Sequence, residues 1–269
     1  MSLKVWALAS GSSGNSFLIQ GGRTTVLLDA GFSAKAMAAK IASVGVDPQQ
    51  VEALFVTHEH SDHICGAGVT CRALKAPIVA NAATLAAAAR SVGNTDVLEM
   101  PTGTEVHIGD LSVRSFAVSH DAADPVGYVF QSGPHKACYV TDTGKITPSL
   151  WAQAEGAHLL VLESNHDVPR LSKSDYPDNL KRRILGDRGH LSNDVAARAI
   201  GELSQRDQPC VVWLAHLSAE NNTPRLAMKF ATNELRHGKP ENVRLAVAKR
   251  DVVSQHFDSS NNWWQRSLF

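Results

Sequence analysis

Four side chains that commonly bind metal ions fall within one stretch of six residues: His58, His60, Asp62 and His63. They come directly after the apolar run 51–56, which predicts a buried strand. A strand that ends in such a cluster brings imidazoles and a carboxylate to one edge of a sheet, where one or two cations can bind. The spacing differs from the helical zinc-protease motif, whose second histidine would stand at position 62.

The local geometry of this run favours two cations. In an extended backbone, the side chains at positions 58 and 60 point the same way. We predict that Asp62 and His63 begin the next helix, so that they can reach a second cation. The alternative is a solvated polar turn, and the density of ligands argues against it.

Further polar residues stand where other predicted strands end. They are Asp29, His120, Asp142, Glu163, His166 and His216. Each alone is commonplace, but together they indicate a single site. Strand patterns alternate with helical patterns in both halves of the chain, and we predict an α/β fold built as a four-layer αββα sandwich. The predicted domain covers residues 1–253, and residues 254–269 are predicted to form a C-terminal tail.

Composition and charge restrict the class of protein. A hydrophobic content of 43% over 269 residues is enough for a substantial core. The formal net charge is zero, so no global field points to nucleic acid, although residues 170–188 carry six Lys or Arg against three Asp. No run resembles a signal peptide or a membrane span, which predicts a cytoplasmic protein with no membrane partner.

In order along the chain, the polar residues match the five motifs of the metallo-β-lactamase-fold hydrolases. The matching residues are Asp29, the run from His58 to His63, His120, Asp142 and His216. The sequence resembles that superfamily, and the resemblance implies an αββα fold with a dinuclear metal site at one edge of the two sheets. It also implies a role for each residue.

One metal would be held by His58, His60 and His120. The other would be held by Asp62, His63 and His216. Asp142 would bridge the two metals, and Asp29 would lie behind the ligands and orient one of them through a hydrogen bond. The ligand types suit zinc, manganese or iron, so two divalent cations of unassigned identity are expected.

Taken whole, the chain resembles the WalJ/YycJ group of bacterial metallo-β-lactamase-fold proteins. The segments that carry this likeness are 8–16, 120–122, 163–167, 189–193 and 216–218. The likeness implies a 5′-to-3′ exonuclease acting on DNA. In that mechanism a hydroxide bridging the two metals attacks the phosphodiester. Two other functions stay open: a phosphodiesterase for a small or cyclic nucleotide, and a metal-stabilised binding protein without catalysis.

Two residues are predicted to be catalytic, Asp62 and His190. The segment around His190 resembles the histidine motif of the tRNA 3′-processing branch, where the imidazole serves the reaction and is not a ligand. We predict that His190 donates a proton to the leaving oxygen. The predicted substrate contacts are Ser12, Ser13, Asn15, Glu163, His166, Arg182 and Arg183. For Glu163 and His166, support of the metal ligands is the alternative role.

Overall fold

The computed structural model describes residues 1–206 and 208–261 of the chain. Its strands form two seven-stranded sheets. In chain order the strands are β1 (Leu3–Ala9), β2 (Ser16–Gly21), β3 (Thr24–Leu28), β4 (Val51–Phe55), β5 (Ile78–Ala80), β6 (Val97–Glu99), β7 (Glu105–Ile108), β8 (Leu111–Ala117), β9 (Val126–Ser132), β10 (His135–Val140), β11 (Leu159–Glu163), β12 (Cys210–Ala215), β13 (Val243–Val247) and β14 (Gln255–Asp258).

Helices connect and cover these strands. In chain order they are α1 (Ala34–Ser43), α2 (Ser61–Ile64), α3 (Ala67–Leu74), α4 (Ala82–Ala87), α5 (Ala89–Val92), α6 (Pro148–Gln153), α7 (Val168–Lys173), α8 (Asp178–Leu185), α9 (Asn193–Ser204) and α10 (Pro224–Leu235). Within the described residues, no helix is long and apolar enough to cross a bilayer.

The two sheets have mixed strand directions. The first has the order β14-β1-β2-β3-β4-β5-β6 and the second the order β13-β12-β11-β10-β9-β8-β7. From β3 to β6 the first sheet is parallel, and from β10 to β13 the second is parallel. Loops that follow parallel neighbours leave from the same edge of a sheet, so both sheets can contribute residues to one site.

Three apolar clusters separate the four layers. The central cluster joins the inner faces of both sheets, and each outer cluster joins one sheet to its helices. Strand β1 shows how the sequence achieves this: Val5 and Ala7 face the central cluster, while Trp6 and Leu8 face the helices. Alternate side chains of a strand point to opposite faces, so a continuously apolar strand is covered on both sides. The predicted αββα sandwich is confirmed.

Some element boundaries differ from the prediction. The sequence pattern predicts a helix over 175–185, but α8 begins at Asp178, because Pro177 occupies the N-cap and the residue before a proline disfavours helix. The alanine-rich stretch after Asn81 predicts one helix over 82–92, which the structure divides at Ala88 into α4 and α5. Helix α7 was not predicted, although Asp167 caps it by accepting a hydrogen bond from the Arg170 backbone N–H at 2.9 Å.

The predicted C-terminal tail contributes a strand to the first sheet. Strand β14 pairs antiparallel with β1, and its Phe257 is buried in the central cluster. Ordered structure therefore extends past the predicted boundary at residue 253. The part of the tail after residue 261 lies outside the described residues.

Candidate metal centre

The predicted site residues converge at the carboxyl ends of parallel strands. In the first sheet, Asp29 follows β3, and the run from His58 to His63 follows β4 and enters α2. In the second sheet, Asp142 and His216 follow β10 and β12, and Glu163 ends β11. Because each of these residues lies at or just after the end of a strand, their side chains meet at a common edge of the two sheets.

Three of these residues have left-handed backbone conformations. Asp29, Asp142 and His216 have φ angles of 58°, 55° and 54°. Such φ angles cost residues other than glycine about 1–3 kcal/mol and persist only where the surroundings enforce them. Here they turn the chain sharply as each strand ends, so that the side chain points across the sheet edge. Of the five non-glycine residues with a positive φ in the described part of the chain, these three belong to the candidate site, whereas Lys75 and Asp251 do not.

The residues predicted to hold the first metal lie close together. One ligand atom from each of His58, His60 and His120 lies within 4.8 Å of the others. His120 Nδ1 faces the Gly189 carbonyl oxygen at 3.0 Å, which directs His120 Nε2 toward His60 Nδ1 at 3.3 Å. His58 Nδ1 lies 3.0 Å from the Thr57 hydroxyl. In His58 and His120, Nδ1 is thus engaged outside the group, which leaves Nε2 as the ring nitrogen available for a cation.

A second group forms beside the first. Asp62, His63 and His216 also offer ligand atoms within 4.8 Å of one another. His63 Nδ1 faces Asp29 Oδ2 at 2.8 Å, and His63 Nε2 lies 3.4 Å from Asp62 Oδ2. Asp29 also accepts from the Thr57 backbone N–H at 2.9 Å. Asp29 thus lies behind His63 and is placed to fix the orientation of its ring.

Asp142 lies between the two groups. One of its oxygens is 3.3 Å from His63 Nε2, and the other is 3.4 Å from His216 Nδ1 and 3.9 Å from His120 Nε2. A third group within 4.8 Å joins Asp142 to His58 and His63. We refer to these seven residues as the ligand cluster: His58, His60, Asp62, His63, His120, Asp142 and His216.

Two buried atoms of the ligand cluster support a fit to metal ions. Among the described residues, the buried His58 Nε2 has no hydrogen-bond partner, and the buried Asp142 Oδ2 has no well-aligned one, its neighbour being His63 Nε2 at 3.3 Å. An unsatisfied buried polar atom costs about 1–3 kcal/mol, so such atoms are rare without a function. Imidazole nitrogens and carboxylate oxygens are also the donors that zinc, manganese and iron accept. The residues therefore fit divalent cations.

Charge in the ligand cluster is strongly coupled. Burial opposes ionisation of Asp142, but the neighbouring His216 and His63 outweigh it and hold the pKa of Asp142 well below its usual range. Burial also opposes protonation of His216, yet Asp142, Asp62 and Glu163 raise its pKa to about 10. Burial lowers the pKa of His58 well below its ordinary value, which keeps this ring neutral and able to bind a cation.

Glu163 connects His190 to the ligand cluster. Its Oε1 lies 2.8 Å from His190 Nδ1 and 3.0 Å from His216 Nδ1. Its Oε2 accepts hydrogen bonds from the backbone N–H groups of Thr143 and Leu191. Although burial opposes ionisation, His190 and His216 lower the pKa of Glu163 to about 2. One ionised carboxylate therefore orients both imidazoles.

Asn15 and Gly31 support Asp62 from behind. The Asn15 side chain is buried and donates to Asp62 Oδ2 at 3.2 Å, and its backbone N–H donates to the Asp62 carbonyl oxygen at 2.8 Å. Gly31 passes so close that a Cβ there would overlap the same carbonyl oxygen. The small-residue loop predicted to contact phosphate thus has a second use, because Asn15 holds a metal ligand.

A cavity of about 240 Å³ opens over the ligand cluster. His60, Asp62, His120, Asp142, His190 and His216 form its base. Ser12, Asn165, Ser218 and Arg183 also line the cavity. The remaining lining residues are three that we call the α8 wall: Tyr176, Leu180 and Ile184.

Only some of the predicted substrate contacts reach this cavity. Ser12 and Arg183 line it. Ser13 instead donates to Asp251 Oδ1 at 2.6 Å, and Arg182 is exposed outside the cavity. A substrate contact is therefore not supported for those two residues.

Burial excludes the remaining predicted contacts. Asn15, Glu163 and His166 are at most 1% exposed and do not line the cavity. Asn15 and Glu163 use their polar atoms on the ligand cluster and its neighbours. Glu163 therefore fits its alternative role of supporting predicted metal ligands, and Asn15 has a similar placement that the sequence did not predict. His166 has no hydrogen-bond partner for either ring nitrogen among the described residues.

The structure also adds residues that the sequence reasoning missed. The Thr57 hydroxyl lies within 3.2 Å of Asp29, His58 and His63, so it links three site residues. Asp121 forms an ion pair with Arg183 and thereby anchors α8 beside His120. Position next to a predicted ligand was the available signal in both cases. The α8 wall had no signal beyond the spacing of Leu180 and Ile184 by four residues.

Comparison with known proteins agrees with this arrangement. Residues 24–216 match the profile of the Beta-lactamase superfamily domain. An exodeoxyribonuclease YycJ of Bacillus anthracis is 40% identical, with the alignment covering 84% of this chain and 87% of the relative. An exodeoxyribonuclease WalJ of Streptococcus pneumoniae is 39% identical, covering 85% of this chain and 86% of the relative.

Solved structures share the fold at much lower identity. The metallo-β-lactamase fold protein YhfI from Bacillus subtilis superimposes with a TM-score of 0.71 at 17% identity, covering 95% of this chain and 99% of that one. The short form of human tRNase Z superimposes with a TM-score of 0.62 at 16% identity, covering 94% and 98%. These similarities concern the architecture.

Proposed function

This chain belongs to the beta-lactamase superfamily and is a metal-dependent hydrolase, and we propose that it is a two-metal 5′-to-3′ exonuclease acting on DNA. Its relatives from Bacillus anthracis and Streptococcus pneumoniae are exodeoxyribonucleases at 40% and 39% identity. The observation that carries the proposal is the ligand cluster at the base of an open cavity, with His190 beside it.

We assign the two cation sites from the two groups of residues. His58, His60 and His120 would hold one cation. Asp62, His63 and His216 would hold the other, with Asp142 shared between them. When bound, two such cations lower the pKa of a water molecule and polarise the phosphate under attack. The chain contributes the arrangement of the ligands, enforced by three left-handed residues and by the hydrogen bonds to His63, His120 and His216.

His190 is proposed to protonate the leaving oxygen. Its Nδ1 is held by Glu163, so Nε2 is the nitrogen left for the substrate, and the residue lines the cavity. A positioned proton donor of this kind contributes about 10²–10⁴-fold to a rate. Glu163, whose carboxylate is ionised, fixes the orientation of the His190 ring through this contact. In this scheme Asp62 acts only as a ligand, held in place by Asn15.

Two arginines lie at or beside the cavity. Arg183 is one of its lining residues and is held by an ion pair with Asp121. Arg188 is anchored nearby, since its Nε donates to the His120 carbonyl oxygen at 3.1 Å. Guanidinium groups beside a metal site suit the repeated phosphates of a DNA strand. The supporting observation is therefore a cationic rim beside the predicted reaction centre.

Direction of cleavage can be tested with end-labelled DNA. The purified protein, supplied in turn with zinc, manganese and iron, is incubated with one oligonucleotide labelled at either its 5′ or its 3′ end. The proposal predicts immediate release of a labelled mononucleotide from the 5′ label and a progressively shorter ladder from the 3′ label. Hydrolysis of cyclic nucleotides without any cleavage of DNA would instead favour a small-diester phosphodiesterase.

A further inference from the structure

Helix α8 does not pack as the other long helices do. None of its residues is fully buried. Leu180 and Ile184 lie four residues apart and therefore share one face of the helix, and Tyr176 precedes them in the adjoining turn. All three are partly buried, and all three line the cavity above the ligand cluster. The apolar face of this helix is directed at the candidate site.

The α8 wall contributes to none of the apolar clusters that hold the fold together. Tyr176, Leu180 and Ile184 are absent from the central cluster and from both outer clusters. Among the described residues, no hydrogen bond involves the Tyr176 hydroxyl. A tyrosine and two aliphatic side chains thus form an apolar surface next to a strongly charged site. Folding alone gives no reason for this placement.

Neighbouring contacts fix the α8 wall relative to the reaction centre. The His190 backbone N–H donates to the Ile184 carbonyl oxygen at 3.0 Å, so the wall continues directly into the proposed proton donor. Arg183, between the wall residues in sequence, is held by its ion pair with Asp121. A ligand in this cavity therefore meets the ligand cluster at the base, the Arg183 guanidinium, and the apolar side chains of the α8 wall.

We propose that Tyr176, Leu180 and Ile184 form a platform on which the base of the terminal nucleotide of a DNA strand packs while its phosphate lies over the ligand cluster. This inference rests on the proposed nuclease function. The charge pattern selects the occupant, because a nucleotide combines an anionic group with a planar apolar one. Aromatic side chains stack on any base, so the platform favours single-stranded ends without selecting sequence.

A substrate without a terminal base tests the platform. Hydrolysis is measured on a single-stranded oligonucleotide and on the same oligonucleotide with an abasic terminal nucleotide. For the wild-type protein, loss of the base is expected to lower kcat/KM by about 10- to 100-fold, mainly through KM. Tyr176→Ala is expected to show a similar loss on the normal strand and little further loss on the abasic strand. Tyr176→Phe should recover most of the lost kcat/KM.

Leu185→Ala provides the matched control. Leu185 is on the same helix but is 47% exposed and does not line the cavity. If Tyr176→Ala and Leu185→Ala have equal effects, or if Tyr176→Ala and the abasic substrate multiply each other's losses, the platform is refuted while the nuclease function stands. If the wild-type protein with metal cleaves neither strand, the proposed function and the platform fail together.

Discussion

The base and the side of the cavity are built in opposite ways. At the base, His58, His63 and Asp142 are buried. His63 is held from behind by Asp29, and Asp142 has a left-handed backbone conformation just after its strand ends. At the side, the α8 wall is partly exposed and belongs to no apolar cluster. The difference suggests that the base fixes the chemistry, whereas the wall can vary with the substrate at little cost in stability.

The comparison of the base with the side of the cavity predicts the largest loss of metal and activity for substitution of Asp142. Asp142→Ala should lose at least one bound cation and nearly all hydrolysis, because both predicted sites share this carboxylate. Since alanine is strained at the left-handed φ of 55°, Asp142→Asn is the better test, as asparagine tolerates that conformation. Metal content and DNA hydrolysis are measured together. Asp187→Ala, an exposed carboxylate paired with Lys145, is the control. Full activity of Asp142→Asn would refute the bridging assignment.

His190 lies between the base of the cavity and the α8 wall. Its substitution should lower activity less than substitution of Asp142 does. His190→Ala is expected to keep both metals and to lower kcat by about 10²–10⁴-fold, most on substrates with poor leaving groups. His107→Ala, an exposed histidine on β7, serves as the control. If the variant loses metal, or if it retains full activity, His190 is not the proton donor.

The pH dependence of metal binding gives a further test of the ligand cluster at the base of the cavity. Neighbouring carboxylates raise the pKa of His216 to about 10, so the metal-free protein holds a proton on this imidazole at neutral pH. The stabilisation that comes from this charge is lost as the pH rises through about 10. A cation bound to His216 displaces the proton, so metal affinity should rise up to about tenfold per pH unit below pH 10. Calorimetry in buffers of different ionisation enthalpy measures the released protons. Affinity independent of pH would contradict the assignment.

Charge at the rim should have a modest effect. Arg183 lines the cavity and Arg182, its neighbour on α8, does not. We expect Arg183→Gln to weaken DNA binding more than Arg182→Gln does, and to reduce the slope of log affinity against log salt by about 0.7 for a single strand. Hydrolysis of an activated small diester should change little. Equal losses for both variants would remove Arg183 from the proposed DNA path.

Cysteine modification should have the smallest effect on metal binding at the base of the cavity. Burial raises the pKa of Cys71, Cys138 and Cys210 to about 12, and only Cys65 is exposed. Blocking thiols under native conditions is therefore expected to leave bound metal unchanged. Metal release on alkylation, followed by a colorimetric chelator, would reveal a thiolate ligand outside the predicted set.

Sequence reasoning succeeded where local pattern and structure agree. The strand-end positions of Asp29, Asp142 and His216 follow from apolar runs that stop at a polar residue, and the same runs predict the two sheets. It was less successful for contacts between distant segments. Asn15 meets Asp62 only because two loops fold over one another, so its support of a ligand could not be read from either loop alone.

The short elements show the same limit. Strand β14 has few residues and gains its stability by pairing with β1, which lies at the other end of the chain. The α8 wall follows a helical spacing that is usually a sign of core packing, and only the tertiary structure shows that it faces a cavity. Local sequence patterns therefore predict helices and strands, whereas the segment or cavity that each of them faces depends on residues far away in the chain.

Metal stoichiometry tests the account most directly. The protein is purified, reconstituted separately with zinc, manganese and iron, and its bound metal is counted alongside that of His216→Asn, because asparagine tolerates the left-handed φ of 54° at this position and is too short to replace the imidazole. Two cations per chain are expected in the wild-type protein and one in His216→Asn, with activity lost in the variant. A wild-type protein that binds at most one cation, or a variant that keeps both, would contradict the two-metal centre.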